Sequence, residues 1–100
     1  MITWGFVAAY SDTVALNTPI TVTVNGKTST PSVAFVTVTT TDGDLVWLNG
    51  LGIPQFLPGC IAGVSYPIGA TQIVSSGIVN GVSRTTTAVG FSWMGSPIAV

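Results

Sequence analysis

The side chains in this 100-residue sequence that could do chemistry are few: Asp12, Asp42, Asp44, Lys27, Arg84 and the single cysteine Cys60. There is no histidine and no glutamate. Histidine is the usual general base and the group that titrates near neutral pH, so Ser-His-Asp and Cys-His catalysis and the commonest pH switch are excluded. One thiol without histidine builds neither an internal disulfide nor a zinc site of Cys and His ligands. Asp42-Gly43-Asp44 suggests a calcium half-loop or a carboxylate pair. Calcium, however, takes about six to eight oxygen ligands, and an EF-hand loop closes on a glutamate that this chain lacks. Two carboxylates in one tight turn rarely flank a cleft as glycosidase carboxylates do, so a solvated turn is the expectation. Lys27 with Ser29 has the makings of a Ser-Lys dyad, but that chemistry needs a desolvated lysine, and a residue directly after an Asn-Gly turn is expected in solvent. Arg84, ahead of Thr85-Thr86-Thr87, is expected either to guard a strand edge or to meet an acidic group on a partner. No enzyme, cofactor or metal centre is expected.

Charge is scarce as well. Charged residues make up 5% of the chain, against about 25% in ordinary soluble domains. Two cations cannot neutralise the several phosphates on which nonspecific nucleic-acid affinity depends, so DNA and RNA are excluded as partners. A folded monomer of 10.2 kDa exposes roughly 5,300 Å² by mass scaling, which leaves on the order of 1,000 Å² per charge. Neutral areas of that size exceed the roughly 800 Å² that each partner contributes to a standard interface. Interface cores are depleted of charge, and a net charge near zero promotes association; this chain carries -1. Self-association is therefore expected. The competing expectation is that the 24 Ser and Thr residues hydrate the surface.

From Leu45 to Ser83 there is no charge at all, and 45–64 is long enough to cross a bilayer. Asn49, Gln55, Pro54, Pro58 and glycines 50, 52, 59 and 63 nevertheless break a helix there, so no membrane span is expected. Met1 to Asp12 has no basic residue and no small-residue cleavage site follows it, so no secretory signal peptide is expected.

The elements that must position these side chains are strands. Ile20, Val22 and Val24 alternate with Thr21 and Thr23, and Asn25-Gly26 follows, the strongest short-range hairpin signal. Val33 and Phe35 share one parity while Val36 and Val38 share the other, so 32–41 is either buried on both faces or interrupted by a bulge near Phe35. Asp42-Gly43 then turns the chain into Leu45-Val46-Trp47-Leu48, which Asn49-Gly50 ends, and a β-meander is expected over this stretch. Residues 50–70 read as a long Gly/Pro-rich loop region, with a short strand at 60–66 at most. Gln72 to Val79, the turn Asn80-Gly81 and Val82 to Thr87 form another expected hairpin. Val89, Phe91 and Trp93 alternate with small or flexible residues, and Ile98 to Val100 can pair as a terminal strand. The whole reads as a single all-β domain over 1–100, a compact antiparallel sandwich or barrel of about seven to eight short strands, with 1–18 as an amino-terminal arm or edge strand. Val24-Asn25-Gly26 followed by Val33-Ala34-Phe35 is echoed 55 residues on, with one inserted residue, by Val79-Asn80-Gly81 followed by Val89-Gly90-Phe91. Two hairpins with the same turn chemistry look alike in any case, so no duplication is read from it.

Trp4, Trp47, Trp93, Phe35 and Phe91 are expected in the core. Trp4 and Phe6 nonetheless share parity with Ile2 in an end segment, and Phe56 and Leu57 fall inside the Gly/Pro-rich region. An apolar residue on an arm or loop has fewer ways to be covered by its own domain, so Trp4, Phe6, Phe56 and Leu57 are the candidate subunit-interface residues. A sugar-binding platform would instead use exposed aromatics with polar neighbours such as Asn49 or Gln55.

A small chain, rich in Thr, Val and Gly, almost uncharged and without His or disulfides, resembles the minor structural proteins of tailed bacteriophages, particularly capsid decoration or cement proteins. The resemblance lies in composition and style, with no specific motif. It implies a β-rich subunit made in the host cytoplasm and residing in the virion, often a homo-oligomer such as a trimer, that binds the major capsid protein or another virion protein and reinforces the lattice. It fits a tail or neck component equally. The alternative from the residues is a small β-sandwich module that binds a sugar or a cell-surface receptor.

Overall fold

The computed structural model describes residues 10–24 and 26–96. The fold is all-β, with no helix among the described residues. Its larger sheet elements are β1 (Tyr10–Thr13), β5 (Ser32–Thr41), β6 (Gly43–Leu48), β7 (Pro54–Cys60) and β12 (Val89–Ser96); the short ones are β2 (Thr18–Pro19), β8 (Ser65–Tyr66) and β9 (Gln72–Ile73). Two further hairpins are β3 (Val22–Val24) with β4 (Lys27–Ser29), and β10 (Ser76–Val79) with β11 (Val82–Thr85). The described residues hold twelve strands where seven or eight are expected, partly because two-residue strands such as β2 and β9 leave too little sequence for a visible alternation.

The strands form two four-stranded sheets, β1-β12-β5-β8 and β2-β9-β6-β7, with antiparallel neighbours throughout. Their inner faces close a sandwich core. The first sheet contributes Val36, Val38, Phe91 and Trp93, the second Leu45, Trp47 and Ile73, with Ile20, Val22, Val33, Cys60, Ala70 and Ala88 filling the ends.

Strand β5 shows why alternation fails at Phe35. Met94 pairs with Phe35 but the next residue, Gly95, pairs with Val33, so Ala34 is an extra residue in β5. A one-residue bulge exchanges the two faces beyond it. Val33 and Val36 are both buried in consequence, and Phe35 is turned outward, contrary to its expected place in the core.

The β-meander is also corrected. β5 and β6 lie in different sheets, so Asp42 marks a sheet-to-sheet crossover instead of a hairpin turn. The region 50–70 is corrected likewise: it holds β7 and β8, with short turns at 49–53 and 61–64. Asn49 Oδ1 accepts from the Leu51 and Ile53 amides at 2.9 and 3.0 Å, and the Asn49 amide donates to the Ile53 carbonyl. Gly and Pro sit at the β6–β7 turn and in β7, which is an edge strand where proline is tolerated.

Both Asn-Gly hairpins form. Gly26 has φ of 78° with Val24 paired to Lys27, and Asn80 and Gly81 have φ of 50° and 79° with Val79 paired to Val82, the left-handed pair that a type I′ turn requires. The β10–β11 hairpin lies over the outer face of the second sheet. A Cβ on Gly77 would meet Pro54 at 3.1 Å and Val46 at 3.4 Å. β6 is therefore covered on both faces, and Leu45, Val46 and Trp47 are buried in succession.

The sequence echo extends to the architecture. Adding 55 carries β3, β4 and most of β5 onto β10, β11 and β12, and overlaps β1 with β8 and β2 with β9. Exchanging each strand with its counterpart turns the order β1-β12-β5-β8 into its own reverse. The counterparts β5 and β12 pair antiparallel, as do β2 and β9. That is the topology of an internal two-fold, with β6 and β7 as the connection between the halves.

Cys60 is buried between the sheets. Burial, and secondly the Asp44 carboxylate, push its thiol above the ordinary value of 9.0. The folded state then holds the proton more tightly than the unfolded state, so stability is level at lower pH and falls as pH rises past the unfolded value. A denaturant midpoint that drops between about pH 8 and 10, by less in Cys60→Ala than in the parent, is the expected result. Equal drops would assign the alkaline loss to other groups.

Candidate functional site

The carboxylates of Asp42 and Asp44 are committed to holding the chain in place. Asp42 Oδ1 accepts from the Ala62 amide at 2.7 Å, and Asp44 Oδ1 from the Gly59 amide at 3.0 Å. The two carboxylates thus brace the end of β7 and the passage to β8. The Asp44 main chain is tied as well: its carbonyl accepts from the Thr87 and Ala88 amides at 3.0 and 3.1 Å, and its amide donates to Thr87 Oγ1 at 2.8 Å. No group of three or more metal-ligating side chains gathers among the described residues. Lys27 and Ser29 lie on β4 of the first hairpin.

The candidate interface residues divide. Trp4 and Phe6 lie outside the described residues. Phe56 and Leu57, expected on a loop, are half-buried in β7 and covered by their own chain. Phe56 pairs with Val46 on the face beneath the β10–β11 hairpin, and the Arg84 guanidinium sits 4.6 Å from its ring centroid. Leu57 pairs with Leu45 on the opposite face and packs against the core. The residues misled because β7 carries Pro and Gly at an edge, where they do not break a strand. Arg84 lies on β11, which among the described residues pairs only with β10, and its guanidinium also caps an aromatic. Phe56→Ala is accordingly expected to lower the stability of the subunit by about 2 kcal/mol, the loss of a partly buried aromatic. Its folded fraction should associate as the parent does. Denaturant titration and light scattering on one preparation check both.

The exposed apolar side chains are elsewhere. Phe35 and Met94 face each other across β5 and β12 on the outer side of the first sheet, 41% and 51% exposed. Thr37 and Ser92 pair beside them, and Thr37 shares a 2.7 Å hydrogen bond with Ser65 on β8. Strands β5, β8 and β12 contain no charged residue. Leu51 on the β6–β7 turn and Ile78 on the second hairpin are more exposed still, at 84% and 67%. The parity switch between Val33 and Val36 was the signal in the sequence that Phe35 faces out.

Comparison with protein-family models, curated proteins and solved structures gave no match to this chain. Its function is read from the surface alone. The aromatic platform expected of a sugar-binding module is not formed by Trp47 or Trp93, which are both buried. Asn49 caps its own turn and the Gln55 amide donates to the Pro54 carbonyl, so both polar neighbours of such a platform are engaged locally. Among the described residues no helix is long and apolar enough to cross a membrane.

Proposed function

We propose that this chain is a non-enzymatic structural subunit of a virion, a capsid decoration or cement protein that stabilises the lattice by assembling with copies of itself and with the major capsid protein. The observation that carries the reading is the outer face of the first sheet, where the pair Phe35 and Met94 stands among Thr and Ser with no charge on three adjoining strands. Water gains little by hydrating such a face. Contact with a second neutral surface removes apolar area from water at about 25 cal/mol per Å², without the desolvation cost of charged groups.

A sandwich stiffened on both sides of β6 suits a subunit under mechanical load better than one that must open to admit a substrate. The carboxylates support the same reading, since both are used as main-chain clamps. The test is co-sedimentation of the purified chain with capsids lacking it, followed by heating. The proposal expects saturable binding and a raised temperature of capsid disruption. A chain that neither binds capsids nor associates with itself overturns it.

A further inference from the structure

Strand β6, in the connection between the halves, borders β9 of the second half. Its Trp47 and Leu48 pair with Ile73 and Gln72 of β9, the Val74 amide donates to the Val46 carbonyl at 3.0 Å, and the Thr71 amide to the Leu48 carbonyl at 2.8 Å. Trp47 is buried by this placement. The counterpart of β9 in the first half is β2, and among the described residues no strand pairs with the outer edge of β2. An open groove of about 200 Å³ runs beside that edge, lined by Val14, Ala15, Thr18, Pro19, Ile20 and Trp93 among others. Thr18 and Pro19 stand 55 residues before Ile73 and Val74, which β6 borders. Beside β9 the chain thus displays what covers such an edge: one extended strand with a tryptophan directed into the core.

We propose that the groove beside β2 takes an extended segment from a second copy of this chain, seated as β6 is seated beside β9, and that Ile2-Thr3-Trp4 is that segment. The sequence Ile2-Thr3-Trp4 repeats the order of Leu45-Val46-Trp47, a branched aliphatic residue, a β-branched residue and a tryptophan. The groove lining and residues 1–9 carry no charged side chain, so neither side loses the hydration of an ion on contact. Adding a strand to a free edge usually draws affinity from main-chain hydrogen bonds. Here the counterpart of the Val74 amide is Pro19, which has none to give. The side chain must therefore supply the hold, and Trp4 is the anchor over Ile20 and Trp93.

The inference rests on the assembly reading for its second copy. Sedimentation velocity of the full chain, of Trp4→Ala and of Ala15→Arg tests it, with thermal unfolding of each as control. Ala15 is exposed, so the arginine puts charge into the groove without entering the core. Each variant is expected to weaken self-association by about tenfold or more, as loss of an interface anchor does, with an unchanged unfolding temperature. An equimolar mixture of the two should associate more tightly than either alone, because the intact groove of one receives the intact segment of the other. A lower unfolding temperature for Trp4→Ala with unaltered association would place the segment on its own chain and overturn the proposal, as would a mixture no tighter than its components. A parent that associates while neither variant weakens it overturns this inference and leaves the assembly reading standing. A parent that is monomeric and binds no capsid overturns both.

Discussion

Gly43→Ala is expected to reduce the stability of the subunit by about 3 kcal/mol, at the upper end of what overpacking costs and a large part of the roughly 5–15 kcal/mol that holds an ordinary domain together. Gly43 opens β6 where the chain crosses from one sheet to the other. A Cβ there would stand 2.6 Å from the Thr87 carbonyl carbon and against the Ala88 amide nitrogen. Neither side can give way cheaply. The Thr87 and Ala88 amides are bonded to the Asp44 carbonyl, the Thr86 amide to the Ser75 carbonyl at 2.9 Å, and Thr86 Oγ1 donates to the Val74 carbonyl at 2.6 Å. Separating the strands would leave main-chain groups unpaired near the core, at about 1–3 kcal/mol each. Gly50→Ala is the control, since nothing lies within 4 Å of its Cβ position, and should stay within about 0.5 kcal/mol of the parent. Urea titration of both variants measures the difference. Equal midpoints would mean that β6 does not press on 86–88 as described.

Phe35→Glu is expected to act oppositely, leaving the fold intact and abolishing most association. Phe35 is exposed and faces Met94 on the outer side of the sheet, so a carboxylate there remains hydrated in the monomer and the circular dichroism and unfolding temperature should hold. In an assembly the same carboxylate would be buried against an apolar partner, and the desolvation of one unpaired charge is severe. A loss of about thirtyfold in association, equivalent to about 2 kcal/mol, is the least expected of a central apolar anchor. Met94→Glu should reproduce it from the opposite strand. Loss of fold with unaltered association of the folded fraction would show that Phe35 belongs to the core after all.

What the sequence made legible was local. Asn25-Gly26 and Asn80-Gly81 specify their hairpins because left-handed backbone is tolerated by few residues. The alternation of Phe91 and Trp93 likewise located half of the core. The partner of each strand was not legible. Asp42-Gly43 reads as a hairpin turn, but whether a turn joins paired strands or hands the chain to a second sheet depends on packing many residues away, here on Thr86 to Ala88. Phe56 and Leu57 were misplaced for a related reason: proline and glycine argue against a central strand, and the sequence does not say that β7 is an edge. The offset of 55 was visible, but its meaning lay in sheet order. Phe35 fell between, since its changed parity was readable as a bulge and the exposure that follows was not drawn from it.

The measurement that bears most directly on assembly through a neutral surface is sedimentation velocity of the full chain across salt and pH. With five charged residues and no histidine, few ions are exchanged on contact and almost nothing titrates between about pH 5 and 8. The account predicts a species heavier than the 10.2 kDa subunit at micromolar concentration, whose dissociation constant changes by less than about twofold from 0.05 to 0.5 M salt and over that pH range. A chain that stays monomeric throughout would contradict it. So would association that falls about tenfold with salt, which would assign the contact to charges this protein barely has.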